Sequence, residues 1–213
     1  MQSIEVISAD YGQKDYPMIR DYPLTMYKDE YDKFTDPRRN SRIHKILIHK
    51  YSDADVTIWH DANINLLHPP EEIVEKYLGD YDMAMFKHGG RDCIYDEAMV
   101  VAKLGLDNVE TIIEQAKYYE DRGFPKHYGL ATGCFIIRRN NAKTQELNEA
   151  WWADYCRFSR RDQLSLMPAI KKTGVKFNLL SGTWVQYADC AVMDDAFSVV
   201  QHAHHEGNWN EQK

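Results

Sequence analysis

The sequence predicts a single α/β domain whose mostly parallel central sheet is flanked by helices. Short apolar runs typical of buried strands alternate with longer segments of helical periodicity along the 213 residues. Such alternation indicates a sheet covered by helices on its faces. No internal repeat, low-complexity tract or shift in composition marks a boundary, so residues 1–213 are expected to form one domain.

The first part of the chain predicts two strands separated by a long loop and a helix. Residues 4–8 alternate β-branched side chains, and residues 56–59 form an apolar run that predicts a buried strand. Residues 10–36 are polar and rich in Tyr and Asp, which predicts a long loop of the kind that is usually functional. Asn40 and Ser41 are predicted to cap a helix that ends near residue 51.

The rest of the chain continues the alternation. A helix opening at residue 69 has prolines in its first turn and acids near the positive end of its dipole. Further strands are predicted at residues 83–86, 134–137 and 175–179, and further helices at residues 94–104, 108–121, 141–157 and 162–172. Ligands of open α/β sheets bind beyond the carboxyl ends of strands, so the positions after Ser8, Trp59, Phe86 and Ile137 are the first candidates for a site.

Charge and cysteine content exclude some classes of function. The formal net charge of −7 argues against duplex binding by phosphate neutralisation, although residues 38–50 form a local basic patch. None of the four cysteines forms a CxxC pair, which argues against a zinc knuckle, and Cys134 and Cys156 are predicted to be buried thiols. Neither a signal sequence nor a membrane span is predicted, so a cytoplasmic protein is expected.

The strand-end sequence Asp61-Ala62-Asn63 is the first candidate site. A carboxylate and an amide oxygen two residues apart can both face one hard cation, and Mg²⁺ or Mn²⁺ needs few protein ligands when a diphosphate supplies the others. The same residues are also common in turns that only satisfy local backbone groups. His202 and His204 could complete a divalent metal site, or could belong to a solvated tail or a tag.

Three other segments carry candidate binding residues. Arg forks and a helix N-terminus between residues 38 and 45 would suit a nucleotide diphosphate, or would be a solvated basic helix start. Asp162 could hold sugar hydroxyls or act as a base, or could cap a helix. Gly133 could permit close backbone approach to a ligand, or could be part of a turn. Asp96 and Glu97 are further candidate acids that also suit a helix surface. The predicted cofactor-binding residues are Arg38, Arg39, Arg42, Lys45, Asn63, Thr132, Gly133, Arg161 and Gln163.

Several of these segments together resemble one known family. It is a glycosyltransferase-like family that includes plant turgor-regulation and mucilage-related proteins together with bacterial and viral relatives. The resemblance covers roughly residues 4–205. Its blocks, which occur in the family's order, are residues 37–45, residues 52–55 followed by 57–64, and residues 129–139, 148–153 and 159–165.

The resemblance implies a Rossmann-like GT-A domain that binds a nucleotide sugar, with a UDP-sugar favoured as donor. Asp61-Ala62-Asn63 stands where GT-A enzymes carry their DxD motif, and His202 or His204 matches a metal-coordinating histidine near the C-terminus. Asp162 and Gln163 resemble a late acidic motif that contacts the donor sugar or the acceptor. Mn²⁺ or Mg²⁺ is the implied cofactor.

The resulting hypothesis is transfer of a hexosyl or pentosyl group to a hydroxyl acceptor, which could be a glycan, a small molecule or a modified base. Asp61 and Asp162 are the predicted catalytic residues. Arg38, Arg39 and Lys45 would neutralise the diphosphate leaving group. Two alternatives use the same scaffold: a metal-dependent hydrolase with water as acceptor, and a non-catalytic binding module, which the neutral Asn63 favours.

Overall fold

The computed structural model describes residues 2–12, 15, 18–182 and 195–200. Its strands are β1 Ile4–Ala9, β2 Thr25–Tyr27, β3 Val56–His60, β4 Ile64–Leu66, β5 Met83–Lys87, β6 Ala131–Arg139, β7 Phe177–Leu180 and β8 Phe197–Val199. Its helices are α1 Pro37–Ile46, α2 Pro70–Tyr77, α3 Ile94–Lys103, α4 Val109–Glu120, α5 Ala142–Arg157 and α6 Asp162–Thr173. None of these helices is long and apolar enough to cross a membrane.

Six of the strands form a central sheet in the order β2-β1-β3-β6-β5-β7. Neighbouring strands are parallel except at β6, which runs antiparallel to both β3 and β5. β4 and β8 form a separate antiparallel pair. The predicted α/β fold with a mostly parallel sheet is therefore confirmed.

Both faces of the sheet are buried because successive side chains of each strand point to opposite sides. Val6 and Ile58 pack into one hydrophobic core with α2, β4 and β8. Ile7 and Trp59, their neighbours in sequence, pack into a second core with α5 and α6. Strands covered on both faces have near-continuous apolar sequences, which is why β3 could be predicted as a buried strand.

The structure corrects the predicted start of α1. The helix begins at Pro37, and Asp36 is its N-cap, with a side chain that accepts a 2.9 Å hydrogen bond from the Arg38 amide. Proline suits the first helical position because it has no N–H to leave unpaired. Asn40, predicted as a cap, instead bonds the backbone of Phe34 through both of its amide atoms.

Other corrections concern short strands and one cysteine. The predicted loop at residues 10–36 contains β2, and β4 and β8 were not predicted because runs of three residues carry little periodic signal. β6 begins three residues earlier than predicted, so Thr132 and Gly133 lie within the strand. Cys134 is buried as predicted, whereas Cys156 is exposed on α5.

We expect stability to fall with acidity because two histidines are buried in their neutral form. His60 ends β3, and His44 in α1 stacks on Tyr27 with ring centroids 3.8 Å apart. Burial lowers the pKa of each to about 4. As the pH falls, the unfolded chain therefore binds protons at these histidines before the folded protein does. The free energy of unfolding should fall by roughly 2 kcal/mol per histidine between pH 7 and pH 5.

Urea unfolding at pH 7 and pH 5, in wild type and in His44→Phe, would measure this loss. The variant should lose less stability between the two pH values than wild type does. An identical pH dependence in both proteins would contradict the assignment for His44.

Candidate active site

The candidate site lies at one edge of the central sheet. The parallel strands β1, β3 and β5 end there, and the antiparallel strand β6 begins there. Asp61 directly follows β3, and its amide donates a 2.8 Å hydrogen bond to the carbonyl of Cys134 in β6. α1 and α6 bring charged side chains to the same edge, which is where open α/β sheets bind ligands.

A cluster of three charges, one fully buried and two partly exposed, joins α1 to α6. Asp162 is the first residue of α6, and the fully buried Lys45 donates a direct hydrogen bond to its Oδ2. Arg42 Nε lies 3.4 Å from the same oxygen. Burial by itself would raise the pKa of Asp162, but the two cations hold it at about 2. A carboxylate that is this weak a base suits charge stabilisation and hydrogen-bond acceptance better than general-base catalysis.

Gly133 allows β6 to pass directly beside this ion pair. A Cβ at position 133 would lie 2.5 Å from Lys45 Nζ and 3.4 Å from Asp162 Oδ2. A side chain at position 133 would therefore force the Lys45 ammonium to move. Gly133 was predicted to let the backbone approach a ligand closely. In the structure, the groups that lie close to it are the side chains of Lys45 and Asp162.

The Asp61 carboxylate lies in the same electrostatic environment. Burial by itself would lower the pKa of Arg42, but Asp162 and Asp61 both raise it. The Trp59 indole donates a 3.1 Å hydrogen bond to Asp61 Oδ1 and leaves Oδ2 for a ligand. The two predicted catalytic carboxylates, 101 residues apart in sequence, thus both stabilise the charged form of one arginine.

A chain of hydrogen bonds fixes the turn that carries Asp61. His60 Nδ1 lies 2.9 Å from the Asp61 carbonyl oxygen, and because a carbonyl only accepts, this ring nitrogen carries the proton. His60 Nε2 then accepts from the hydroxyl of Tyr22 at 3.1 Å. The Tyr22 hydroxyl accepts in turn from the amide of Leu66, so both ends of the turn are held by the same chain of bonds.

Asn63 has an oxygen that fits a metal ion. Its side chain is buried, and Nδ2 donates a 3.0 Å hydrogen bond to the carbonyl of Val200. Among the described residues, Oδ1 has no hydrogen-bond partner, although a buried unpaired oxygen is costly. An amide oxygen beside a carboxylate is a donor set that Mn²⁺ and Mg²⁺ accept. His202 and His204, the other predicted metal ligands, lie outside the described residues.

Four arginines lie near one another at this edge of the sheet: Arg38, Arg42, Arg160 and Arg161. Burial, followed by repulsion from Arg160, Arg161 and Arg42, lowers the pKa of Arg38. Arg160 is neutralised by Asp36, with a contact of 3.0 Å. Arg38 is exposed, and Arg161 Nε has no hydrogen-bond partner among the described residues. The remaining excess of positive charge suits a polyanionic ligand.

Other predicted binding residues make internal contacts. Arg39 donates to the carbonyls of Tyr155 and Phe158 at 2.9 and 2.8 Å, so its guanidinium holds the end of α5. Gln163 Nε2 donates to the Ala131 carbonyl at 2.7 Å, and Thr132 Oγ1 donates to that of Phe86 at 3.2 Å. These two contacts fix β6 against α6 and β5. All three side chains serve the site by positioning its elements.

The sequence did not reveal the contact that Arg20 makes at this edge of the sheet. Arg20, from the predicted loop, donates a 2.6 Å hydrogen bond to the carbonyl of Ala62, in the middle of the Asp61–Asn63 turn. A single arginine in a long polar loop carries no signal of such a contact.

The two further candidate acids differ in their surroundings. Glu97 is buried and paired with Arg91 at 2.5 Å, whereas its neighbour Asp96 is exposed, as expected of a helix surface.

Comparison with known proteins gives a family match over most of the chain. Residues 26–202 match the model of the TOD1/MUCI70 glycosyltransferase-like domain. The chain is 26% identical over 168 residues to the probable hexosyltransferase MUCI70 of Arabidopsis thaliana, an alignment that covers 74% of this chain. That alignment spans 28% of the plant protein's length.

Solved structures show more distant likeness. The bifunctional glycosyltransferase WbbM in its apo form aligns with a TM-score of 0.46 and 9% identity, over 84% of this chain and 39% of that chain. The galactosyltransferase LgtC in complex with donor and acceptor sugar analogues aligns with a TM-score of 0.46 and 9% identity, over 92% of this chain and 86% of that chain. The family assignment therefore rests on the sequence match.

We predict that Gly133→Ala disrupts the ion pair. The new methyl group would displace the Lys45 ammonium from Asp162, and overpacking of this kind costs roughly 1–3 kcal/mol. Gly90→Ala is the matched control because its Cβ would meet only His88 Cε1, at 3.8 Å. Denaturant unfolding of both variants measures the difference. Equal stabilities for the two variants would refute the close packing at Gly133.

Proposed function

The chain belongs to the TOD1/MUCI70 glycosyltransferase-like family, and we propose that it transfers a sugar from a nucleotide-diphosphate donor to a hydroxyl acceptor. The observation that carries the proposal is the charge cluster at the carboxyl edge of the sheet, where Arg42 contacts Asp162 and where Asp162 and Asp61 both raise the pKa of Arg42. This places two carboxylates beside an excess of guanidinium groups. Such a site can hold both the uncharged sugar and the charged diphosphate of one donor.

The diphosphate would lie against the guanidinium groups of Arg38, Arg42 and Arg161. Arginine forks bind phosphate oxygens in pairs, and their charge would oppose the negative charge that grows on the leaving group during transfer. Arg42 is fixed by Asp162, so its charge is in place before the donor binds. Preorganised charge of this kind needs no rearrangement at the moment of reaction.

Asp61 and Asn63 would hold a divalent cation. Oδ2 of Asp61 and Oδ1 of Asn63, which have no hydrogen-bond partner among the described residues, would supply two hard oxygens. When bound there, Mn²⁺ or Mg²⁺ would supply further stabilisation of phosphate charge. His202 or His204, which the sequence predicts as metal ligands, would be the third ligand.

Asp162 would orient the donor sugar. Its carboxylate remains ionised throughout the neutral range because its pKa is about 2. An ionised carboxylate accepts hydrogen bonds from hydroxyls and can stabilise positive charge that develops on the sugar ring. We propose a hexosyl donor carried by UDP as the first to test, with the acceptor hydroxyl on a glycan, a small molecule or a modified base.

The decisive test is calorimetric titration with UDP, GDP and their common sugars, with Mn²⁺ and with chelator. We expect micromolar, metal-dependent binding of one nucleotide. It should be lost in Asp61→Ala and kept in Asp53→Ala, which removes an exposed aspartate at the other end of β3. If none of the nucleotides binds, either with Mn²⁺ or with chelator, the proposal is wrong.

Turnover separates the alternatives that share this scaffold. A transferase should consume the nucleotide sugar much faster when acceptor hydroxyls are present. Equal consumption with water alone would indicate a hydrolase. Tight binding without consumption would indicate a binding module.

We also predict that Arg20→Gln weakens metal-dependent nucleotide binding by about tenfold, because the charged hydrogen bond that holds the Ala62 carbonyl is worth about 1.5–3 kcal/mol. The loop that carries Arg20 would then no longer anchor the Asp61 turn. Arg122→Gln is the control, since Arg122 is exposed and lies over the ring of Tyr118. Calorimetry on both variants checks this, and unchanged affinity in Arg20→Gln would exclude a positioning role.

A further inference from the structure

A second group of metal-binding side chains lies where α3 meets the loop before β6. Cys93, Asp96 and His127 each present a ligand atom, and these atoms all lie within 4.8 Å of one another. Cys93 is the N-cap residue of α3 and Asp96 lies in its first turn. Residues three apart at a helix start share one face, so the thiol and the carboxylate point toward the same neighbouring loop.

Two hydrogen bonds hold the loop of His127 against this helix start. The Gly129 amide donates to the Asp92 carbonyl at 2.9 Å. The Tyr95 hydroxyl donates to the Phe124 carbonyl at 2.7 Å. These hydrogen bonds are made before and after His127 in sequence. They therefore fix the loop of His127 against the segment that carries Cys93 and Asp96.

A carboxylate holds the ring of His127 by one of its two nitrogens. Its Nδ1 lies 2.7 Å from the Asp92 carboxylate, which leaves Nε2 for a ligand. Histidines that bind metals usually donate their second ring N–H to a carboxylate or carbonyl, which fixes the ring and strengthens the ligand. Asp92 would have this supporting role here.

We propose that Cys93, Asp96 and His127 form a zinc site, with water as the fourth ligand. One sulfur, one imidazole nitrogen and one carboxylate oxygen match the ligands of Zn²⁺, while Mn²⁺ and Mg²⁺ prefer oxygen. Tetrahedral zinc separates its sulfur and nitrogen ligands by about 3.5 Å. The exposed side chains of Asp96 and His127 can close the remaining distance by small rotations.

The site would tie α3 to the strand that carries Gly133. The loop after β5 holds Cys93, and the loop that holds His127 leads directly into β6. Zinc would join these two loops on the β5–β6 side of the sheet edge. It would be a second metal site, separate in residues and in ligand chemistry from Asp61 and Asn63.

Cobalt is the probe, because Co²⁺ occupies zinc sites and a cysteine ligand gives it an intense near-ultraviolet charge-transfer band. We expect the metal-stripped full chain to bind one Co²⁺ with this band, and Zn²⁺ to displace it. The band should vanish in Cys93→Ser and persist in Cys156→Ser, which changes an exposed thiol outside the group. Asp92→Asn should weaken binding by about 10–100-fold.

Because Cys93 is buried, Cys93→Ser could lose the band by unfolding the protein. His127→Gln and Asp96→Asn change exposed side chains instead, and both should weaken Co²⁺ binding. Asp61→Ala should leave the cobalt band unchanged, so failure of the proposed transferase site and failure of this zinc site are told apart. A missing band in wild type, or a band that survives in Cys93→Ser and His127→Gln, would overturn the proposal.

Discussion

The ion pair between Lys45 and Asp162 is the interaction on which the rest of the site depends. The Lys45 side chain is removed from water and that of Asp162 is largely so, and a buried charge is tolerated only when its partner and its hydrogen bonds are in place. The pair therefore requires α1, α6 and β6 to meet in one arrangement. Gly133 provides the space, because any larger residue would occupy the position of the Lys45 ammonium.

The elements around the pair are held by further buried polar contacts. The Trp151 indole donates a 2.8 Å hydrogen bond to the Asp162 carbonyl at the start of α6. The buried Arg138 donates to the carbonyls of Lys45 and Ile46 at the end of α1, at 2.6 and 3.3 Å. A cation at a helix C-terminus is also favoured by the helix dipole. Both partners of the central pair are thus fixed through their backbones.

This rigidity has a functional consequence. A group that must stabilise charge during a reaction is most effective when it does not have to move. Asp61 is held by Trp59, its turn by the His60 hydrogen bonds, and Arg42 by Asp162. Among the described residues, the buried atoms Asn63 Oδ1 and Arg161 Nε have no hydrogen-bond partner, and a ligand that reached them would satisfy both.

The sequence by itself determined the fold class and most of the elements, because β3 is a continuous apolar run and the longer helices have enough residues for a clear periodic pattern. It also indicated Asp61 at a strand end, Asp162 at a helix start, and Arg42 and Lys45 in a basic segment that forms α1. Only the tertiary structure decided how these residues are used. In the folded protein Lys45 pairs with Asp162, Arg39 donates to the Tyr155 carbonyl, and Arg20 donates to the Ala62 carbonyl. These contacts join residues up to 119 positions apart, and local sequence patterns carry no information about which distant groups will meet.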